Sequence, residues 1–114
     1  MTIEDIKSIC NKFPAVTEDV KWGADLCFSI GSKMFCVTGL DQTPVAVSFK
    51  VTDEEFEEVA ARTGFRPAAY VARYKWVTLE DSSKISKKEL EQFIKESYDL
   101  VKAKLPKKVR DALI

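Results

Sequence analysis

The sequence predicts an α+β two-layer sandwich: an antiparallel sheet with helices packed on one face, in the order α-β-β-β-α-β-α-α. Three observations carry this expectation. Apolar residues recur at helical spacing near both ends of the chain and once in its middle. Between residues 26 and 49 they alternate with a period of two, the mark of strands buried on one side. Capping signals of the form Ser/Thr-x-x-Asp/Glu stand at the start of each long helical stretch. Antiparallel strands flanked by helices bury one sheet face and leave the other open.

Residues 3 to 13 place Ile3, Ile6, Ile9, Cys10 and Phe13 on one side of a helix, with Thr2 as its cap and Asp5 three residues on. Phe13-Pro14 ends it, because proline disfavours helix at the residue before it. Residues 15 to 24 show no clean period and read as a structured loop. A hairpin follows: Leu26, Phe28 and Ile30 alternate, Gly31-Ser32 turns with the glycine suited to a type II′ turn, and Phe35 and Val37 continue the apolar face. The next strand starts at Thr43-Pro44, with Val45, Val47 and Phe49 alternating against Ala46, Ser48 and Lys50.

Thr52-Asp53-Glu54-Glu55 is a capping box opening a helix over Phe56, Val59 and Ala60, with Gly64 placed to stop it. Its acids suit the helix dipole, so the cluster is explained structurally. Residues 73 to 79 read as a strand in which both alternating faces carry large side chains. Ser86-Lys87-Lys88-Glu89 opens a last long helix whose inner stripe is Leu90, Phe93, Ile94, Ser97, Tyr98, Val101 and Leu105. Pro106 ends it, and residues 107 to 113 suffice for one short helix.

Composition bounds the function. The chain of 114 residues fits one domain, 1–114, with 46% hydrophobic and 32% charged residues, as in globular proteins. No apolar run approaches the roughly 20 residues that span a bilayer, and the N-terminus lacks the pattern of a signal peptide, so the expectation is a cytoplasmic protein without membrane contact. Lysine plus arginine and aspartate plus glutamate each number 18, which argues against a general nucleic-acid coat. The charge is nonetheless segregated, with nine basic residues against four acids between Lys84 and Arg110. Such a field steers partners even at zero net charge, although the plainer reading is a solvated helix face.

There is no histidine. This excludes Ser-His-Asp and Cys-His nucleophilic sites and removes the commonest metal ligand. Cys10, Cys27 and Cys36 form no CxxC pair. The expectation is no metal, no cofactor and no catalytic set. Asp19 and Asp25 bracket Lys21 and Trp22, but no oxyanion, phosphate-loop or metal motif accompanies them.

Several segments taken together resemble the MmcQ/YjbR-like family. They are Pro14 to Asp19, Lys21-Trp22-Gly23, Leu26-Cys27-Phe28 and Gly31 to Phe35, then Ser48-Phe49-Lys50, Lys75-Trp76-Val77 and Ser97 to Val101. The resemblance spans nearly the whole chain in order. It implies a fold like that of type III secretion chaperones, in agreement with the element order above. It also implies DNA binding, the label that members commonly carry. Since the motif positions form no recognised catalytic set, the expected role is that of a non-enzymatic DNA-binding or regulatory accessory protein.

Three constellations follow for testing. Lys21, Trp22, Lys33, Lys50, Arg73, Lys75 and Trp76 make a candidate nucleic-acid surface, in which cations neutralise phosphates and tryptophans stack on bases. The open sheet face, expected to show Cys27, Ser29, Met34, Cys36, Ala46 and Ser48, is the alternative: a protein-interaction or homodimer surface of chaperone-like architecture. A two-residue hairpin at Gly31-Ser32 also sets Cys27 opposite Cys36, close enough for a disulfide, though a reducing cytosol favours free thiols.

Overall fold

The computed structural model describes residues 1–113. Four helices and six strands run in the order α1 (Ile3–Cys10), β1 (Thr17–Lys21), β2 (Asp25–Ile30), β3 (Lys33–Gly39), β4 (Val47–Lys50), α2 (Phe56–Ala60), β5 (Phe65–Pro67), β6 (Trp76–Leu79), α3 (Lys87–Ala103) and α4 (Lys107–Ala112). The strands form one antiparallel sheet ordered β1-β2-β3-β4-β6-β5. The fold is therefore α+β as the patterning predicts, with two more strands than expected.

Both additions are edge strands. All of β1 except Lys21 is exposed, so it shows no hydrophobic alternation and reads as a loop in sequence. Its order comes from pairing with β2 and from Glu18, which meets Lys7 at 3.4 Å and accepts a bond from Asn11 at 3.1 Å, both at α1. β5 is three residues long and contains Pro67, which a sheet tolerates at an edge where no ladder donor is required.

One face of the sheet carries the core. Leu26, Phe28, Ile30, Val47, Phe49, Val77 and Leu79 pack against Ile6, Ile9, Leu90, Ile94, Tyr98 and Val101. Phe35 stands edge-on to Tyr98, with ring centroids 5.3 Å apart, and Phe13 stacks on Tyr98 at 5.0 Å. The buried face of the last strand is thus that of Val77 and Leu79, while Trp76 and Thr78 face the open side.

A β-bulge corrects the expected hairpin register. Ser29 pairs with Met34 but Phe28 pairs with Cys36, leaving Phe35 as an extra residue on β3. Consequently Phe35 and Cys36 both enter the core, Val37 moves to the open face, and Cys27 lies opposite Val37. Cys36 is therefore not on the open face and does not pair with Cys27. The turn differs too: Gly31 and Ser32 both have positive φ (55° and 67°), the type I′ geometry, and a Cβ at Gly31 would lie 2.7 Å from Leu105.

The capping expectations hold in part. Thr2 and Asp5 cap each other's backbone. Thr52 and Glu55 exchange the same pair of bonds, but α2 starts only at Phe56, so they close the turn before the helix rather than cap it. Ser86 accepts the Glu89 N–H, but the Glu89 carboxylate turns to Arg62 and binds it with two hydrogen bonds of 3.0 and 3.2 Å. β4 begins at Val47 rather than Thr43, because the Ala46 and Val45 carbonyls are taken outside the ladder by Thr38 Oγ1 and the Ser82 N–H.

Candidate functional site

The uncovered face of the sheet is concave. Register places Val37, Ser48, Thr78 and Arg66 side by side on β3, β4, β6 and β5, with Asp25 and Gly39 paired one step along. Small side chains dominate this floor, and the walls rise from the Trp22 turn and from residues Ala68 to Val71. The result is a cleft of about 620 Å³, a size that suits small ligands. A second hollow of about 410 Å³ continues it past Gln42, Ala46 and Arg66.

Its polar groups are few. Ser48 and Thr78 hydroxyls hydrogen-bond to each other at 2.7 Å. Arg66 is exposed, with its Nε 3.4 Å from Glu80. Asp25 stands at the opposite wall beside Trp22. Two aromatic residues at the cleft are poorly covered: Trp22 is 70% exposed and Tyr70 is 99% exposed. Both also adopt left-handed backbone, with φ of 52° and 67°. A bulky residue there is strained, and strain of this kind concentrates at functional sites.

The structure divides the seven residues expected at a nucleic-acid surface. Trp22 and Trp76 come together in the cleft, and Lys21 pairs with the cleft residue Asp25. Lys33 lies at the β2–β3 hairpin, paired with Ile30. Lys50 lies opposite Trp76 in register, and its ammonium donates to the Tyr74 carbonyl. Burial draws its pKa down, assisted by Lys104 and Lys75 and opposed by Asp53. Arg73 lies over the Tyr74 ring at 4.8 Å, and Lys75 over the Phe56 ring at 5.1 Å.

Arg66, Tyr70, Asp25 and Gln42 line the cleft without having been singled out as part of that surface. Tyr70 follows Pro67-Ala68-Ala69 in a segment that carries no periodicity. Its exposure and left-handed backbone emerge only in three dimensions. The segments Lys21-Trp22-Gly23, Ser48-Phe49-Lys50 and Lys75-Trp76-Val77 each contribute a residue to the cleft.

Away from the cleft, Glu55 and Glu96 join α2 to α3. Burial pushes the Glu96 carboxyl up to about 7, reinforced by its hydrogen bond with Glu55 and by that neighbour's charge. Burial also acts to raise Glu55, but hydrogen bonds from Glu96 and Thr52 outweigh it and leave Glu55 below its ordinary value. The pair therefore shares one proton. Folded Glu96 keeps its proton up to about 7, whereas an ordinary glutamate loses it near 4.5, so this contribution to stability is complete below 4.5 and is lost as pH rises to 7. Glu96→Gln is expected to raise the melting temperature at pH 8 and to change it little at pH 4.5. Equal shifts at both pH values contradict the shared proton.

Among the described residues no helix is long and apolar enough to cross a membrane. No group of three or more cysteine or carboxylate side chains among them is placed to hold a metal ion.

Comparison with solved structures agrees with this architecture. A Deinococcus radiodurans protein, DR2400, with a DUF419 domain, superposes with a TM-score of 0.88 at 27% identity, covering 98% of this chain and 87% of its own. A structural-genomics target from Pseudomonas syringae superposes with a TM-score of 0.74 at 17% identity, covering 89% of this chain and 99% of its own, and shows the shared fold. No curated protein matches the chain. The YjbR family model matches residues 11–100, which include every strand, α2 and most of α3, and the chain therefore belongs to the YjbR family.

Proposed function

We propose that this chain is a binding protein rather than an enzyme, and that it takes single-stranded nucleic acid against the open face of its sheet as a DNA-binding or regulatory accessory protein of the cytoplasm. The observation that carries the reading is the pair Trp22 and Tyr70: two exposed rings, both on left-handed backbone, flanking one cleft. Rings on an open sheet are stacking platforms for unpaired bases. A duplex fits less well, since Arg66 is the one cation among the cleft residues while Asp25 lines it and Glu80 and Asp41 border its extension. The polar floor pairs internally through Ser48 and Thr78, which suits binding better than proton transfer.

Fluorescence anisotropy with a labelled single strand and the matching duplex, at about 50 and 200 mM salt, tests the proposal. The expected result is single-strand binding that exceeds duplex binding and weakens with salt. Absence of single-strand binding at low salt overturns it.

A second reading has its own observation. Apolar Val37, Ala46, Ala68, Ala69 and Val71 line the same cleft, and β1 offers a sheet edge with Val20 half exposed. That combination suits a protein partner or a second copy adding a strand. Its affinity is largely indifferent to salt, which separates it from phosphate-driven binding.

A further inference from the structure

We propose that the cleft holds one unpaired guanine nucleotide, with the base flat on the small-residue floor, its amino edge at Asp25 and its phosphate at Arg66. This rests on the nucleic-acid reading and makes it specific. Val37, Ser48 and Thr78 form a row across three adjacent strands, and the Gln42 carboxamide lies over Gly39 beside them, where a Cβ would stand 2.6 Å from its oxygen, so the ring rests on the row itself. Trp22, Tyr70 and the almost wholly buried Trp76 line the cleft. A planar ring gains most there, since every base presents a π face.

Charge then orients the ligand. Asp25 on β2 and Arg66 on β5 lie four strand spacings apart, about 19 Å along a flat sheet. The long arginine side chain can reach back over that gap: its Nε lies 3.4 Å from Glu80, the residue after β6. That exposed ion pair contributes little, so Arg66 remains free to turn to a phosphate. One cation serves one phosphate.

The Asp25 carboxylate accepts hydrogen bonds only. It selects bases that carry adjacent N–H donors, and guanine sets its ring N–H beside its amino group on a single edge. Thymine offers one donor between two carbonyls that a carboxylate repels.

The test titrates GMP, TMP, IMP and guanosine into the intact chain, read by tryptophan fluorescence. IMP lacks the 2-amino group and probes the Asp25 contact without altering the protein. GMP is expected to bind roughly tenfold or more tighter than TMP and IMP, as a bidentate base contact does. Guanosine should be weaker than GMP, and Arg66→Gln should remove that difference. Asp25→Asn should bring GMP and TMP together. Equal affinity of GMP, TMP and IMP, or binding untouched by both substitutions, overturns the inference. So does single-strand binding with no GMP binding, although the broader nucleic-acid proposal then survives. A guanine-containing single strand that displaces GMP supports both. GMP binding that no strand displaces supports the site with a free nucleotide as its ligand and overturns the nucleic-acid proposal alone.

Discussion

Replacing Ser97 by alanine is expected to destabilise the fold by about 2–4 kcal/mol, far more than the loss of one oxygen suggests, because it leaves two covered backbone groups without partners. The reason is the bulge at Phe35. Continuing the β3–β4 register past Cys36 and Phe49 sets Phe35 opposite Lys50, yet the ladder stops one pair short. The wholly buried Ser97 hydroxyl, reaching down from α3, accepts the Lys50 N–H at 2.9 Å and donates to the Phe35 carbonyl at 2.6 Å. One side chain thus stands in for the missing ladder bond and fixes α3 to two central strands. Urea unfolding of Ser97→Ala measures this. A loss below about 1 kcal/mol, the ordinary net worth of one hydrogen bond, contradicts the bridging role.

The second large effect is on binding. Trp22→Ala and Tyr70→Ala are each expected to weaken single-strand affinity by about 1–3 kcal/mol, the usual worth of one stacked base. That corresponds to roughly 5- to 150-fold in the dissociation constant. Stability should not fall, since both rings are mostly uncovered. Trp22→Gly sharpens the contrast, because glycine accepts the φ of 52° without strain, so a fold at least as stable should bind less well. Parallel losses of stability and affinity in these variants indicate a structural role for the rings instead.

The parts of this protein that were legible in the sequence are those in which local pattern and burial agree. Helix α3 shows its inner stripe plainly because Leu90, Ile94, Ser97, Tyr98 and Val101 are all buried on one side of 17 residues. The Thr2 cap and the Thr52–Glu55 bonds are readable because they span three residues. β1 escaped detection because an exposed edge strand needs no apolar alternation. The bulge escaped because Phe35 and Cys36 are each compatible with a regular hairpin, and the choice is made by contacts with Phe13, Tyr98 and Ser97 that lie far away in the chain. That single extra residue also moved Val37 onto the open face and Cys36 off it.

The candidate site was half legible. Trp22 and Trp76 draw attention by residue type, and the structure brings both to the cleft. Lys50 is in register with Trp76 but does not line the cleft, and burial first, then its basic neighbours Lys104 and Lys75, draws its pKa down. Arg66 and Tyr70 reach the cleft only because β5 pairs with β6, a short pairing without a periodic pattern to announce it.

The central claim is that the open-face cleft, and not the basic cluster around Lys50, receives single-stranded nucleic acid. Titrating a short guanine-containing single strand into isotopically labelled protein and following its amide and indole resonances tests this directly. The largest shifts are expected on Trp22, Tyr70, Trp76 and their neighbours on β3 and β4. Shifts confined to Lys50, Lys75 and Lys104, with the Trp22 and Trp76 indoles unmoved, would contradict it.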